Sequence, residues 1–192
     1  MNLTLQTCFK IDLIKYSINN WESKKPLLMN IINSINNFDL DGCQTDYWFV
    51  ANNGGASYFN QWFSILEEDF STIEFKINSK YRKEFPIHFG PSHTWKLWTQ
   101  KYNSGDSHPV HNHGLGFLSA VIYIEFDPSA HQATTFCSPY PNPFYGNLDY
   151  YMPEVCEGDI ILFPSLLNHF VPTQKSDVTR TIMSFNIPLV QC

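Results

Sequence analysis

The sequence predicts a mainly β domain, a sandwich or barrel of short strands buttressed on one face by two N-terminal helices. Three observations carry this expectation. Apolar residues recur at helical spacing only before about residue 80. Beyond it, period-two alternation takes over at 93–103, 117–126, 132–137, 159–163, 169–172 and 180–187. Pro, Gly and Asn punctuate those segments, as they do in folds built of many short strands. No repeat and no flexible linker interrupts the chain. A single domain over 1–192 is expected, with helical and strand support over 1–80 and the β core over about 90–192.

The elements follow in order. Residues 3–9 read as an edge strand that opens the domain. Ser23, just before Pro26, marks a helix start, because proline is tolerated in a first turn. Leu28, Ile31, Ile32 and Ile35 then fall at helical spacing, and Asn36-Asn37 ends the run. Residues 40–56 are irregular, with Asn52-Asn53-Gly54-Gly55 an evident loop. Phe59, Trp62, Phe63, Leu66 and Phe70 make the apolar stripe of a second helix. Such a stripe could line a cofactor groove, but packing against a sheet is the expected role. Residues 138–154 are rich in Pro, Tyr and Asn and read as one long loop, a lid or substrate wall.

Composition excludes several classes. Apolar residues make up 43% and charged residues 16%, a globular rather than a disordered balance. The net charge of -6 and the lack of a Lys/Arg run argue against a nucleic-acid platform. Aromatic residues reach 16%, enough to fill a barrel or line a pocket. Five widely spaced cysteines without a C-x-x-C suggest structural thiols in a reducing compartment, with the cytoplasm as default. Met1 to Leu13 carries Lys10 and Asp12 and lacks the apolar run of a signal peptide; no stretch is long enough to span a membrane.

Two stretches carry the chemistry. His111 and His113 stand two apart and, on a strand, point the same way, so both imidazoles can grip one metal ion. Residues 158–169 read as a turn at Gly158, a buried strand, a bend at Pro164 and then His169, a histidine that needs a partner in apolar surroundings. Three imidazoles suit iron, zinc, copper and nickel alike. Arg180 opens an inward-facing set with Ile182, Ser184 and Asn186, and a guanidinium holds a carboxylate with two parallel hydrogen bonds.

The spacing Gly105, five residues, His111-x-His113, and later Gly158, five residues, Pro164, then His169, resembles the cupin pattern. It departs in lacking the Glu after His113 and in having Leu166 where that pattern has Gly. A closer resemblance lies in KYNSGDSHPVHNHGLGFLSAVIYIEFDP, EVCEGDIILFPSLLNHFVP and RTIMSFNIPL, which are similar to the 2-oxoglutarate/Fe(II) oxygenases of bacteria and phages over about residues 93–189. That resemblance implies a double-stranded β-helix, a cupin-like jelly-roll barrel. It implies Fe(II) on His111, His113 and His169, and 2-oxoglutarate as co-substrate on Arg180 with Ser184 and Asn186 beside it. Ile182 stands where the family has Ser, and Tyr123, which shares parity with Ser119, could replace that hydroxyl. The implied reaction consumes O2 and 2-oxoglutarate and releases succinate and CO2 while hydroxylating a C–H of a peptide side chain or small metabolite. It also implies a homodimer paired through an N-terminal helix.

Most such enzymes use two histidines and one carboxylate. His113 in the carboxylate's place leaves the site one unit more positive; Asp106 or Glu125 could also join the shell. His108 reads as a pocket or surface residue, and His88, His93 and His131 show no ligand spacing. Three other readings stay open: a three-histidine cupin-type dioxygenase without 2-oxoglutarate, a zinc hydrolase, and a non-catalytic binding barrel.

Overall fold

The computed structural model describes residues 10–34, 38–40, 42–46, 56–80 and 86–190. Helix α1 (Trp21–Asn33) and helix α2 (Ala56–Lys80) precede most of the strands. The strands are β1 (Ile14–Ser17), β2 (Phe38–Leu40), β3 (Cys43–Thr45), β4 (His88–Phe89), β5 (Lys96–Tyr102) and β6 (His108–His111), then β7 (Phe117–Glu125), β8 (Thr135–Pro141), β9 (Leu148–Tyr151), β10 (Asp159–Pro164), β11 (His169–Val171) and β12 (Arg180–Val190). They form an antiparallel sheet in the order β1-β10-β7-β12-β5-β3-β2, with β4 also on β12, and a smaller sheet in the order β6-β11-β8-β9. This is the expected double-stranded β-helix, buttressed by two helices.

Alternation explains why the central strands read as nearly continuous apolar runs: both their faces are covered. From β7, Leu118, Ala120, Ile122 and Ile124 face the helices, together with Ile160 and Leu162 of β10 and Met183, Phe185 and Ile187 of β12. They meet Leu28 and Ile32 of α1 and Trp62, Leu66, Phe70, Ile73 and Ile77 of α2. From Trp62 to Phe70 the α2 stripe is thus packing surface, as expected. The intervening residues, Val121, Tyr123, Ile161, Phe163 and Ile182, form a second core inside the barrel, against Phe136 and Val171 of the small sheet.

Several boundaries differ from expectation. The helix begins at Trp21, two residues before Ser23, so Pro26 lies inside it. Trp21 explains the early start: its Nε1–H donates to Glu157 Oε1 at 3.1 Å and its ring lies against Gly158. The helix closes at Ser34, whose N–H donates to the carbonyl of Ile31. Residues 3–9, Asn36-Asn37 and the 52–55 loop lie outside the described residues. Strand 93–103 shortens to β5, because 92–94 form a 3-10 turn.

The largest correction concerns 138–154, which is not one long loop. β8 and β9 form a hairpin, with Phe136 opposite Tyr151 and Pro141 opposite Leu148. Its tip is ordered by Asn142, whose Oδ1 accepts the N–H of Phe144 and whose N–H donates to Asn147. The prolines misled because they break inner strands, whereas the outer part of β8 is paired only with the edge strand β9. Strands β1, β3 and β6 were also missed; each is four residues or fewer. No described helix is long and apolar enough to cross a membrane.

Candidate metal centre

His111 closes β6 and His169 opens β11, and the two are direct partners across that pair of strands. His113 does not share the strand with His111, since β6 ends at His111. It lies two residues further on, in a segment stitched to the end of β10. Its N–H donates to the Ser165 carbonyl at 2.8 Å, and Ser165 Oγ–H donates to the Gly114 carbonyl at 2.6 Å. Asn112 Nδ2 bonds Asn168 Oδ1 at 2.9 Å, tying the two histidine-bearing segments together.

The result is one cluster. A ligand nitrogen from each of His111, His113 and His169 lies within 4.8 Å of the other two. Ring centroids are 4.3 Å apart for His111 and His169, and 5.0 Å for His113 and His169. Each Nδ1 is already engaged: His111 with the Pro109 carbonyl at 2.8 Å, His169 with the Leu167 carbonyl at 2.9 Å, and His113 with Asn186 Oδ1 at 2.6 Å. An oxygen acceptor there fixes the proton on Nδ1 and leaves the Nε2 lone pair for a metal. Ser119 Oγ donates to the same Asn186 oxygen at 2.8 Å. Burial, reinforced by neighbouring His111, lowers the His169 pKa to about 3, and burial lowers those of His111 and His113. All three imidazoles are therefore neutral at ordinary pH, the form in which they bind metal. The donor set fits a metal ion.

Arg180 is fully buried. Its Nη2–H donates to Thr134 Oγ1 at 3.3 Å, and its guanidinium lies 4.9 Å from the Tyr102 ring and 5.6 Å from the Tyr123 ring. Its Nε and Nη1 have no hydrogen-bond partner among the described residues. A buried cation left without an anion is expensive, so this fork fits a carboxylate that the described residues do not supply. Arg180 stands one layer behind Tyr102 and Thr134, which line a cavity of about 470 Å³ together with the three histidines, Trp98, Ser184 and Asn186.

The remaining expected site residues are distributed as follows. Ser184 lines the cavity and donates to Gln100 Oε1 at 3.3 Å. Asn186 holds His113, a role the sequence did not suggest. Tyr123 packs on Arg180, and its hydroxyl accepts the N–H of Thr134 at 3.3 Å. Asp106 is turned to the backbone N–H of Asn103, Glu125 accepts from Thr181, and neither belongs to the histidine cluster. His108 lines the cavity with its ring 4.5 Å from that of His111. Sequence reasoning missed Lys96, Trp98, Gln100 and Tyr102. Their signal was available in the two-residue period of β5, because all four share one face and all four line the cavity.

A three-histidine cluster inside a double-stranded β-helix, with a buried arginine unpaired among the described residues, has the donor set of a metal centre and the cation of an anion site. Residues 96–186, the segment that carries His111, His113, His169 and Arg180, match the model of a 2OG-Fe(II) oxygenase family. That family's metal is iron and its co-substrate 2-oxoglutarate, and the match agrees with the oxygenase among the readings left open above. No curated protein matches the sequence. Solved structures share the fold. A prolyl-4-hydroxylase from Pseudomonas putida superposes with a TM-score of 0.60 at 12% identity, over 93% of this chain and 92% of its own. The 2-oxoglutarate-dependent epimerase SnoN of nogalamycin biosynthesis gives 0.62 at 12% identity, over 93% and 78%. HygX from Streptomyces hygroscopicus, with nickel, 2-oxoglutarate and hygromycin B bound, gives 0.57 at 8% identity, over 93% and 83%.

Proposed function

We propose that His111, His113 and His169 hold iron through Nε2, that Arg180 receives the far carboxylate of 2-oxoglutarate, and that the enzyme hydroxylates a C–H of a peptide side chain or a small metabolite. One observation carries this reading: a fully buried guanidinium with two unpaired nitrogens lies behind the cavity that three neutral imidazoles line. The balanced reaction consumes O2 and 2-oxoglutarate and gives succinate, CO2 and the hydroxylated substrate. Iron, when bound, supplies the redox chemistry that couples these two oxidations.

The chain's own part is positional. The three histidines would hold the ion, and its remaining positions would take small ligands. Asn186, steadied by Ser119, keeps His113 in the tautomer that presents Nε2. Arg180 fixes the direction of the co-substrate by a charge-assisted contact. Val121, Val171 and Ile182 give the cavity apolar walls that exclude water beside it.

The test is anaerobic loading with Fe(II), exposure to oxygen, and measurement of succinate from 2-oxoglutarate. Wild type is expected to turn over, while His169→Ala loses both bound iron and turnover. Arg180→Ala is expected to keep iron but lose at least about 30-fold in 2-oxoglutarate affinity, as truncation of a buried charge partner costs about 2 kcal/mol or more. Unchanged succinate formation in His169→Ala would overturn the ligand assignment.

A further inference from the structure

Among the described residues, the side chains lining the cavity include one full charge, Lys96, and no Asp or Glu. That is a departure from the chain as a whole, where acidic residues outnumber Lys and Arg by 18 to 12. Lys96 opens β5 and is the cross-strand partner of Asn186, the residue that holds His113. It shares the inward face with Trp98, whose ring lies 5.4 Å from that of His113 and whose side chain is almost fully buried. Lys96 forms no ion pair among the described residues. An aromatic wall and a free ammonium therefore meet at the exposed mouth, beside the metal cluster.

The donor set sharpens the charge imbalance. Three neutral histidines cancel none of the charge of a divalent ion, whereas a carboxylate ligand would cancel one unit. Iron(II), Arg180 and Lys96 bring four positive charges, and 2-oxoglutarate brings two negative ones. Two positive charges are left facing the second substrate in a partly water-excluded cavity, where such an excess strongly favours an anion.

We propose that the second substrate carries an anionic group, a carboxylate or a phosphate, which Lys96 receives while Trp98 flanks the adjoining apolar part. This rests on the iron and 2-oxoglutarate reading above and narrows its substrate class.

The test uses protein loaded with nickel(II) and 2-oxoglutarate, and follows the binding of paired probes by ligand-observed NMR. The pairs are hexanoate with hexanamide, and hexyl phosphate with hexanol. At least one anion is expected to bind about tenfold or more tightly than its neutral partner, a difference of about 1.4 kcal/mol. The preference is expected to disappear in Lys96→Glu, survive in Lys96→Arg, and weaken with added salt. Which anion is preferred identifies the group. Equal binding within both pairs, no binding of either anion, or a preference that persists in Lys96→Glu overturns the proposal. So does a tenfold loss of 2-oxoglutarate affinity in Lys96→Glu, since Lys96 would then serve the co-substrate. A wild-type protein that takes up neither nickel nor 2-oxoglutarate is a different result, and it rejects the underlying function.

Discussion

Asn186 shows how much of the centre depends on residues outside the histidine cluster. Its amide oxygen accepts from His113 at 2.6 Å and from Ser119 at 2.8 Å. Without it, the His113 ring is free to rotate and to move its proton to the other nitrogen. Asn186→Ala is expected to weaken metal affinity about 10- to 100-fold, the usual effect of losing an outer hydrogen bond to a ligand. Metal titration measures this, and folding stability measured in parallel separates lost orientation from lost packing. Affinity equal to wild type would show that packing, with Trp98 against it, is enough to hold the ring. Arg180 is the complementary case. Its isolation was not legible from sequence, because Thr134, Tyr102 and Tyr123 converge on it from three different strands or loops.

At the scale of elements, the turn at Gly158 couples the helical layer to the barrel. Gly158 has φ +83°, and a Cβ there would stand 2.8 Å from Trp21 Cγ. Its N–H donates to Tyr123 and its carbonyl accepts from Ile18, so the turn cannot shift freely. Gly158→Ala is expected to destabilise the fold by about 2 kcal/mol, from left-handed backbone strain plus the clash with the indole. Chemical denaturation checks this. Restored stability in the double variant with Trp21→Ala would assign part of the loss to the ring. The glycine was visible in the sequence as a turn residue. That it seats the first residue of α1 was not, because 137 positions separate the two. The β8–β9 hairpin teaches the same point. Whether Pro139 and Pro141 break a strand depends on whether a neighbour needs their N–H, and only the sheet order answers that.

The whole molecule should respond to acid through its histidine cluster. In the metal-free fold the three histidines titrate below their ordinary value of 6.5, His169 as low as about 3, while in the unfolded chain they titrate normally. Between those values the unfolded chain binds more protons than the folded one, so stability falls as pH drops from 6.5 toward 3. Glu157 adds to the loss at the acid end. Burial works against its charge, but hydrogen bonds from Lys25 and Trp21 hold it below the ordinary 4.5, and that contribution disappears on protonation. Denaturation midpoints across this range, with and without added metal, check both effects. Metal should raise the midpoint most near neutrality, where the histidines need lose no proton. A midpoint constant from pH 6.5 to 4 would contradict the buried, neutral state of the cluster.

The sequence by itself determined the alternation that makes a β-helix, the apolar stripe that makes its helical buttress, and the identities of His111, His113, His169 and Arg180. These are matters of local spacing, and a strand or helix imposes its period on the residues within it. Tertiary structure alone decided that His169 faces His111 in register, that Asn186 holds His113, that Arg180 is buried without an anion among the described residues, and that Lys96 faces the cavity. Each depends on strand register and on sheet curvature. Those are set by the packing of the whole barrel against α1 and α2, and no short window of sequence contains them.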